Sequence, residues 1–129
     1  MKKTVVTILA LSIALFGLAL AQKTDKGKEA KPVTITGQVV DYECCVKSNG
    51  KMLGGDHQEC AETCLKNGLP IGILTKDKKM YVAVSSQMMS SKHRELLTPL
   101  VNKQVKVTGK VSNFAGSLAI AVETVEEVK

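Results

Sequence analysis

Tryptophan is absent from this 129-residue chain, and the aromatic complement is two tyrosines and two phenylalanines. Phe16 lies in an apolar N-terminal run, which leaves Tyr42, Tyr81 and Phe114 for the rest. A single-strand nucleic-acid binder stacks bases on several rings in a basic groove, so three scattered aromatics argue against that class. Histidine is equally scarce, at His57 and His93. With no serine–histidine–carboxylate set, phosphate-cradling glycine loop or paired-carboxylate motif, hydrolytic catalysis has little to work with. A binding module is expected, not an enzyme.

The N-terminus is organised differently from the remainder. Met1-Lys2-Lys3 is a basic start, residues 5–20 are almost uninterrupted apolar side chains, and Ala19-Leu20-Ala21 supplies small residues for cleavage. This reads as a secretory signal, residues 1–21, cut before Gln22. The apolar run is about 16 residues, short of the ~20 that a spanning helix needs. A periplasmic or secreted protein with no membrane span after cleavage is expected. Lys2 and Lys3 account for two of the formal +6 charges, leaving +4. Residues 22–32 are polar and lysine-rich and read as a flexible tether. Residues 33–129 then form one small domain.

Within that domain the pattern is mainly β. Val33, Ile35, Val39 and Val40 mark a first strand, which is expected to end at Cys44 and Cys45. Asp56 followed by Glu59 predicts a capping box opening a helix over 57–67, with Gly68 at C′ and Pro70 as the stop. Strands are expected over 69–75 and 80–85, a helix over 90–101 broken near Pro99, and strands over 104–111 and 118–125. Ile35-Thr36-Gly37-Gln38-Val39 is echoed by Val107-Thr108-Gly109-Lys110-Val111, which predicts a bulge at each glycine to curve a barrel. Five strands, with a cysteine-bearing helix between strands 1 and 2 and a second helix between strands 3 and 4, is the order of an OB-fold barrel.

Three motifs follow one another along this span: Asp41-Tyr42-Glu43-Cys44, then His57-Gln58-Glu59-Cys60-Ala61-Glu62-Thr63-Cys64, then Gly68-Leu69-Pro70-Ile71-Gly72. In these the chain resembles the small exported bacterial OB-fold proteins of uncharacterised function, from Val33 to Val125. The resemblance implies a fold and a compartment and brings no activity with it.

All four cysteines fall within residues 44–64. At 100° per residue, His57, Cys60 and Cys64 share a helical arc of about 60°. Ala61 and Leu65 lie on the same side, and Gln58, Glu59, Glu62 and Lys66 lie opposite. On a strand, Cys44 and Cys45 would face opposite ways, so only one joins the helix cysteines directly. Three chemistries compete for this cluster. An even number of cysteines in a short exported domain suits structural disulfides. Cys44 or Cys45 with His57, Cys60 and Cys64 suits copper or zinc. Cys60 near a helix N-terminus suits thiol–disulfide exchange.

The preferred reading is a transition-metal site made from Cys44, Cys45, His57, Cys60 and Cys64, with copper ahead of zinc because sulfur dominates the donors. The rival is a disulfide-stapled barrel that binds a protein or small ligand in the groove across its face. A monomer is expected, its partner a metal ion or an envelope protein. His93 reads as a solvated polar-face residue, and Met88 and Met89 as core filler.

Overall fold

The computed structural model describes residues 30–129; the expected signal and most of the tether lie outside them. Five strands, β1 (Val33–Asp41), β2 (Ile71–Thr75), β3 (Met80–Ser85), β4 (Gln104–Phe114) and β5 (Ser117–Glu127), alternate with three helices. Helices α1 (Tyr42–Lys47) and α2 (Gln58–Lys66) both fall between β1 and β2, and α3 (Lys92–Leu97) falls between β3 and β4. Each strand has two neighbours, in the order β1-β2-β3-β5-β4 and back to β1, so the sheet closes into a barrel. All pairings are antiparallel except β3 with β5.

Closure depends on β1 serving two partners. Residues 33–38 pair with β4 and residues 37–41 with β2, so Gly37 and Gln38 bridge both. No bulge occurs at Gly37: its register is continuous on both sides. Its role is close approach, since a Cβ there would sit 2.7 Å from the Leu74 carbonyl oxygen. At Gly109 the expected irregularity is present. Thr108 pairs with Thr124 but Gly109 with Val122, leaving Glu123 of β5 as the extra residue.

Side chains from all five strands fill the interior: Val39, Ile71, Ile73, Ala83, Val105, Val107, Ile120 and Val122. The helices cover the barrel with Ala61 and Leu65 from α2 and Leu97 from α3. Asn102 ties this cover to the wall. Its backbone N–H donates to the Val39 carbonyl, and its side-chain amide donates to Gln58 Oε1 at 2.9 Å and to the Gly54 carbonyl at 3.3 Å. Arg94 of α3 donates to the Leu65 carbonyl at the end of α2. These contacts hold α2, and with it two cysteines, against the end of β1.

Two expectations about helices need correction. The first strand ends at Asp41, and Cys44 and Cys45 lie on α1. Asp41 is the reason: its side chain caps the new helix, with Glu43 in the first turn and Lys47 in the last forming an i,i+4 ion pair. Asp56, by contrast, caps nothing. It lies inside a 3-10 turn, Gly55–His57, and α2 starts at Gln58 with His57 as an N-cap that makes no side-chain bond. The other end of α2 follows its sequence signals. Gly68 has φ +92°, and the Leu69 N–H returns to the Cys64 carbonyl at 3.1 Å, the six-to-one bond of a Schellman ending.

Other boundaries shift modestly. Strand β2 begins at Ile71, not at residue 69, because Pro70 precedes it; its carbonyl accepts the Tyr42 N–H at 3.1 Å. The 90–101 helix is shortened to α3 and followed by a 3-10 turn, Thr98–Leu100, that contains Pro99. Met88 and Met89 are fully exposed, not core, and Met89 has φ +57°.

Candidate metal centre

Helix α1 leaves the barrel wall at Asp41, and α2, in the same connection between β1 and β2, packs against β1. Cys44 of α1 therefore meets Cys60 and Cys64, one turn apart on α2. The three Sγ atoms all lie within 4.8 Å of one another. In a tetrahedral site with metal–sulfur bonds of about 2.3 Å, sulfurs stand about 3.8 Å apart, so a small inward adjustment suffices. Cys60 is exposed while Cys44 and Cys64 are half-buried, which leaves the group open to solvent on one side.

The other two expected ligands stand apart from this group. Cys45 is buried, and it borders a separate surface hollow with Val46, Asn49, Leu74, Lys78 and Met80. Adjacent residues on a helix diverge by about 100°, so only one of the vicinal cysteines reaches α2. Strand alternation predicts the same outcome for a different reason. His57 is half-buried at the N-cap of α2, at the end of the 3-10 turn Gly55–His57, and lies outside the sulfur group. His57→Gln is accordingly expected to change metal affinity by only about twofold, the scale of an ordinary surface change, in a competition titration against a chromophoric chelator.

Beside the Cys44 and Cys64 thiols lies Asp41, only 3% exposed. Its Oδ1 accepts the N–H groups of Glu43 at 2.9 Å and Cys44 at 3.3 Å, so the carboxylate is locked by the helix it caps. Its Oδ2 is buried with no hydrogen-bond partner of normal geometry. The polar groups beside it are thiols, and their protonation reflects this. Hydrogen bonding toward the Asp41 carboxylate, followed by burial, pushes Cys64 up to about 12 and raises Cys44. Cys45 is raised chiefly by burial.

These shifts have a definite sign. The folded pKa of Cys64 lies above the 9.0 of a free thiol, so folding favours the protonated form. The resulting stability is complete below about pH 9 and is lost as pH rises toward 12. Denaturant titrations of the reduced, metal-free protein across that window are expected to show a steeper stability loss for wild type than for Cys64→Ser. Metal uptake must displace the same protons, so apparent affinity is expected to climb with pH.

All four cysteines are unpaired here, so no disulfide of the rival reading is formed. His93 is not solvated as expected. It is half-buried with Nδ1 unpartnered, and burial followed by the neighbouring Arg94 lowers its pKa. Asp41 is a neighbour of the cysteine group that ligand spacing alone does not reveal. An Asp before Glu43, with Lys47 four residues further on, carries a helix-start signal. Its position beside the Cys44 and Cys64 thiols arises only from the fold. No protein-family model, curated protein or solved structure matches the chain.

Proposed function

We propose that this is an exported OB-fold-like protein that binds one thiophilic transition-metal ion, copper(I) or zinc(II), through Cys44, Cys60 and Cys64. One observation carries the reading: three thiols from two separate helices converge within 4.8 Å. Thiolate sulfur is the donor that selects these ions. Cys60 provides the solvent-facing side through which an ion can enter. The strand order β1-β2-β3-β5-β4 with a helix between β3 and β4 supports the OB-fold assignment. A periplasmic or secreted location is part of this proposal, supported by the basic start, the apolar run and Ala19-Leu20-Ala21 in the sequence. Among the described residues no helix is long and apolar enough to cross a membrane.

A second reading rests on an open groove of about 580 Å³ on the barrel face, lined by Thr36, Gln38, Leu53, Leu74, Lys76 and Lys78. It suits a protein or small-ligand partner, with the cysteines serving as staples. Elemental analysis and intact mass with and without alkylation, on protein isolated from the producing cell, separate the two. Metal together with free Cys44, Cys60 and Cys64 supports the metal centre; two intact disulfides and no metal would leave the groove as the functional surface. The same mass measurement reports cleavage after Ala21.

A further inference from the structure

Three thiols held together have a second chemistry besides metal ligation: two of them can give up two electrons and join. A disulfide needs sulfurs about 2.05 Å apart. The Sγ atoms of Cys44, Cys60 and Cys64 already lie within 4.8 Å of one another, so side-chain rotation covers most of the remaining distance.

The helices decide which pair joins. Cys60 and Cys64 stand one turn apart on α2, where the helix keeps Cβ atoms about 5–6 Å apart. A disulfide needs about 3.5–4.5 Å between them, so these two do not pair while α2 is intact. Any disulfide of the group therefore runs from α2 to Cys44 of α1. Residues 48–54 connect the two helices and belong to neither, so the gap between α1 and α2 can adjust where a helical turn cannot. Exposure then separates the two α2 cysteines. Cys60 is exposed, whereas Cys44 and Cys64 are half-buried, so an incoming oxidant meets Cys60 first. The sulfur that α1 presents to it is that of Cys44. Cys45, 4% exposed and outside the group, takes no part.

We infer that Cys44 and Cys60 form a reversible disulfide that competes with the metal ion, so that the centre is filled only in its reduced state. The oxidant is a small-molecule disulfide of the glutathione class. The Cys60 thiolate attacks one of its sulfurs, forming a mixed disulfide on Cys60 and expelling one thiolate. The Cys44 thiolate then attacks Sγ of Cys60 and expels the second. Two protein thiols thereby lose two electrons and two protons, and one external disulfide becomes two thiols. Oxidation leaves Cys64 as the one thiol of the group, too few donors for a thiolate centre. Exposed disulfides are the labile ones, so reduced thiol restores the site. The exported location proposed above is one where disulfides form. Release of the ion rests on the metal reading; formation of the disulfide does not.

The test is peptide mass mapping of the reduced, metal-free protein after exposure to oxidised glutathione, with the remaining thiols alkylated. A Cys44–Cys60 bond is expected, with Cys45 and Cys64 alkylated and the bond reversed by reduced glutathione. Cys44→Ser is expected to stop at the mixed disulfide, with glutathione on Cys60; the wild-type map needs no variant to fold. Zinc-loaded protein is expected to oxidise at least about tenfold more slowly, with a chromophoric chelator registering the ion in step with the disulfide. A bond from Cys44 to Cys64 or Cys45, a bond within α2, resistance to reduced glutathione, or thiols left intact would overturn the inference and leave the metal reading standing. Equal oxidation rates with and without bound zinc would overturn the competition between disulfide and ion. Failure of the reduced protein to bind zinc or copper(I) would overturn the metal reading, and a Cys44–Cys60 bond in that protein would still establish the disulfide.

Discussion

Cys44→Ser is expected to lower metal affinity by more than about 100-fold, while Cys45→Ser, one residue along, leaves it within about threefold. The contrast follows from where the two sulfurs point. Cys44 Sγ belongs to the group with Cys60 and Cys64 and is the only member that α1 contributes. Its loss removes a direct donor, which must cost more than the outer-shell changes that set that scale. Serine keeps the side-chain volume and the helix, so the fold is expected to persist. Cys45 is 4% exposed and packs away from the group. Placing a hydroxyl there costs about 1–3 kcal/mol of stability without touching the centre. Chelator competition and denaturant titration on both variants check the pair. A loss of affinity in Cys45→Ser equal to that in Cys44→Ser would mean that α1 rotates on binding and that the sulfur grouping misidentifies the ligand.

The largest effect on stability is expected from Gly109→Ala, at about 3 kcal/mol or more, the upper end of overpacking costs. A Cβ on Gly109 would stand 2.1 Å from the Ala121 carbonyl oxygen and 3.2 Å from the Ile120 side chain. The first contact is with backbone in a paired strand, so nothing can rotate aside. Strands β4 and β5 approach so closely because the register slips here, between Thr108 and Gly109. That slip bends the long β4–β5 ribbon, and the bend lets β5 meet β3 and close the barrel. Gly116→Ala offers the control. Its Cβ would meet nothing, and only the φ of +84° opposes it, a penalty of about 1–2 kcal/mol. Thermal melts of both variants are expected to rank them in that order, with each kcal/mol worth about 4–8 °C in a domain of this size. A Gly109→Ala melt close to wild type would show that β5 can retreat from β4, and the argument for closure through a rigid bend would fail.

The contrast between legible and illegible features runs through single residues. Strand β3, residues 80–85, and the Gly68 ending of α2 can be read in the chain because alternation and a positive-φ glycine are local signals. The two acidic cap candidates illustrate the limit. Asp41 and Asp56 both precede residues compatible with helix, but only Asp41 caps one. The difference is that pairing with Ile71 holds Asp41 at the end of a strand, while the glycines before Asp56 allow a tighter turn. Cys60 and Cys64 share a face because α-helical periodicity dictates it. His57 belongs to a 3-10 turn, whose angle per residue differs from that of the α-helix, and it lies outside the sulfur group.

From the sequence alone came the mainly β composition, a strand–helix–strand order with two helical insertions, the crowding of four cysteines into residues 44–64, and a chemistry limited to sulfur with little imidazole. Each of these depends on neighbours within a few positions, where propensity and periodicity operate. Tertiary structure decided which cysteine of the vicinal pair meets α2, that His57 stands aside, and that a buried carboxylate from β1 lies beside the Cys44 and Cys64 thiols. Those outcomes depend on the closure of β1 against both β2 and β4 and on the contacts of Asn102 and Arg94 that seat α2. They join residues far apart in the chain, so no local pattern of side chains encodes the distance between them.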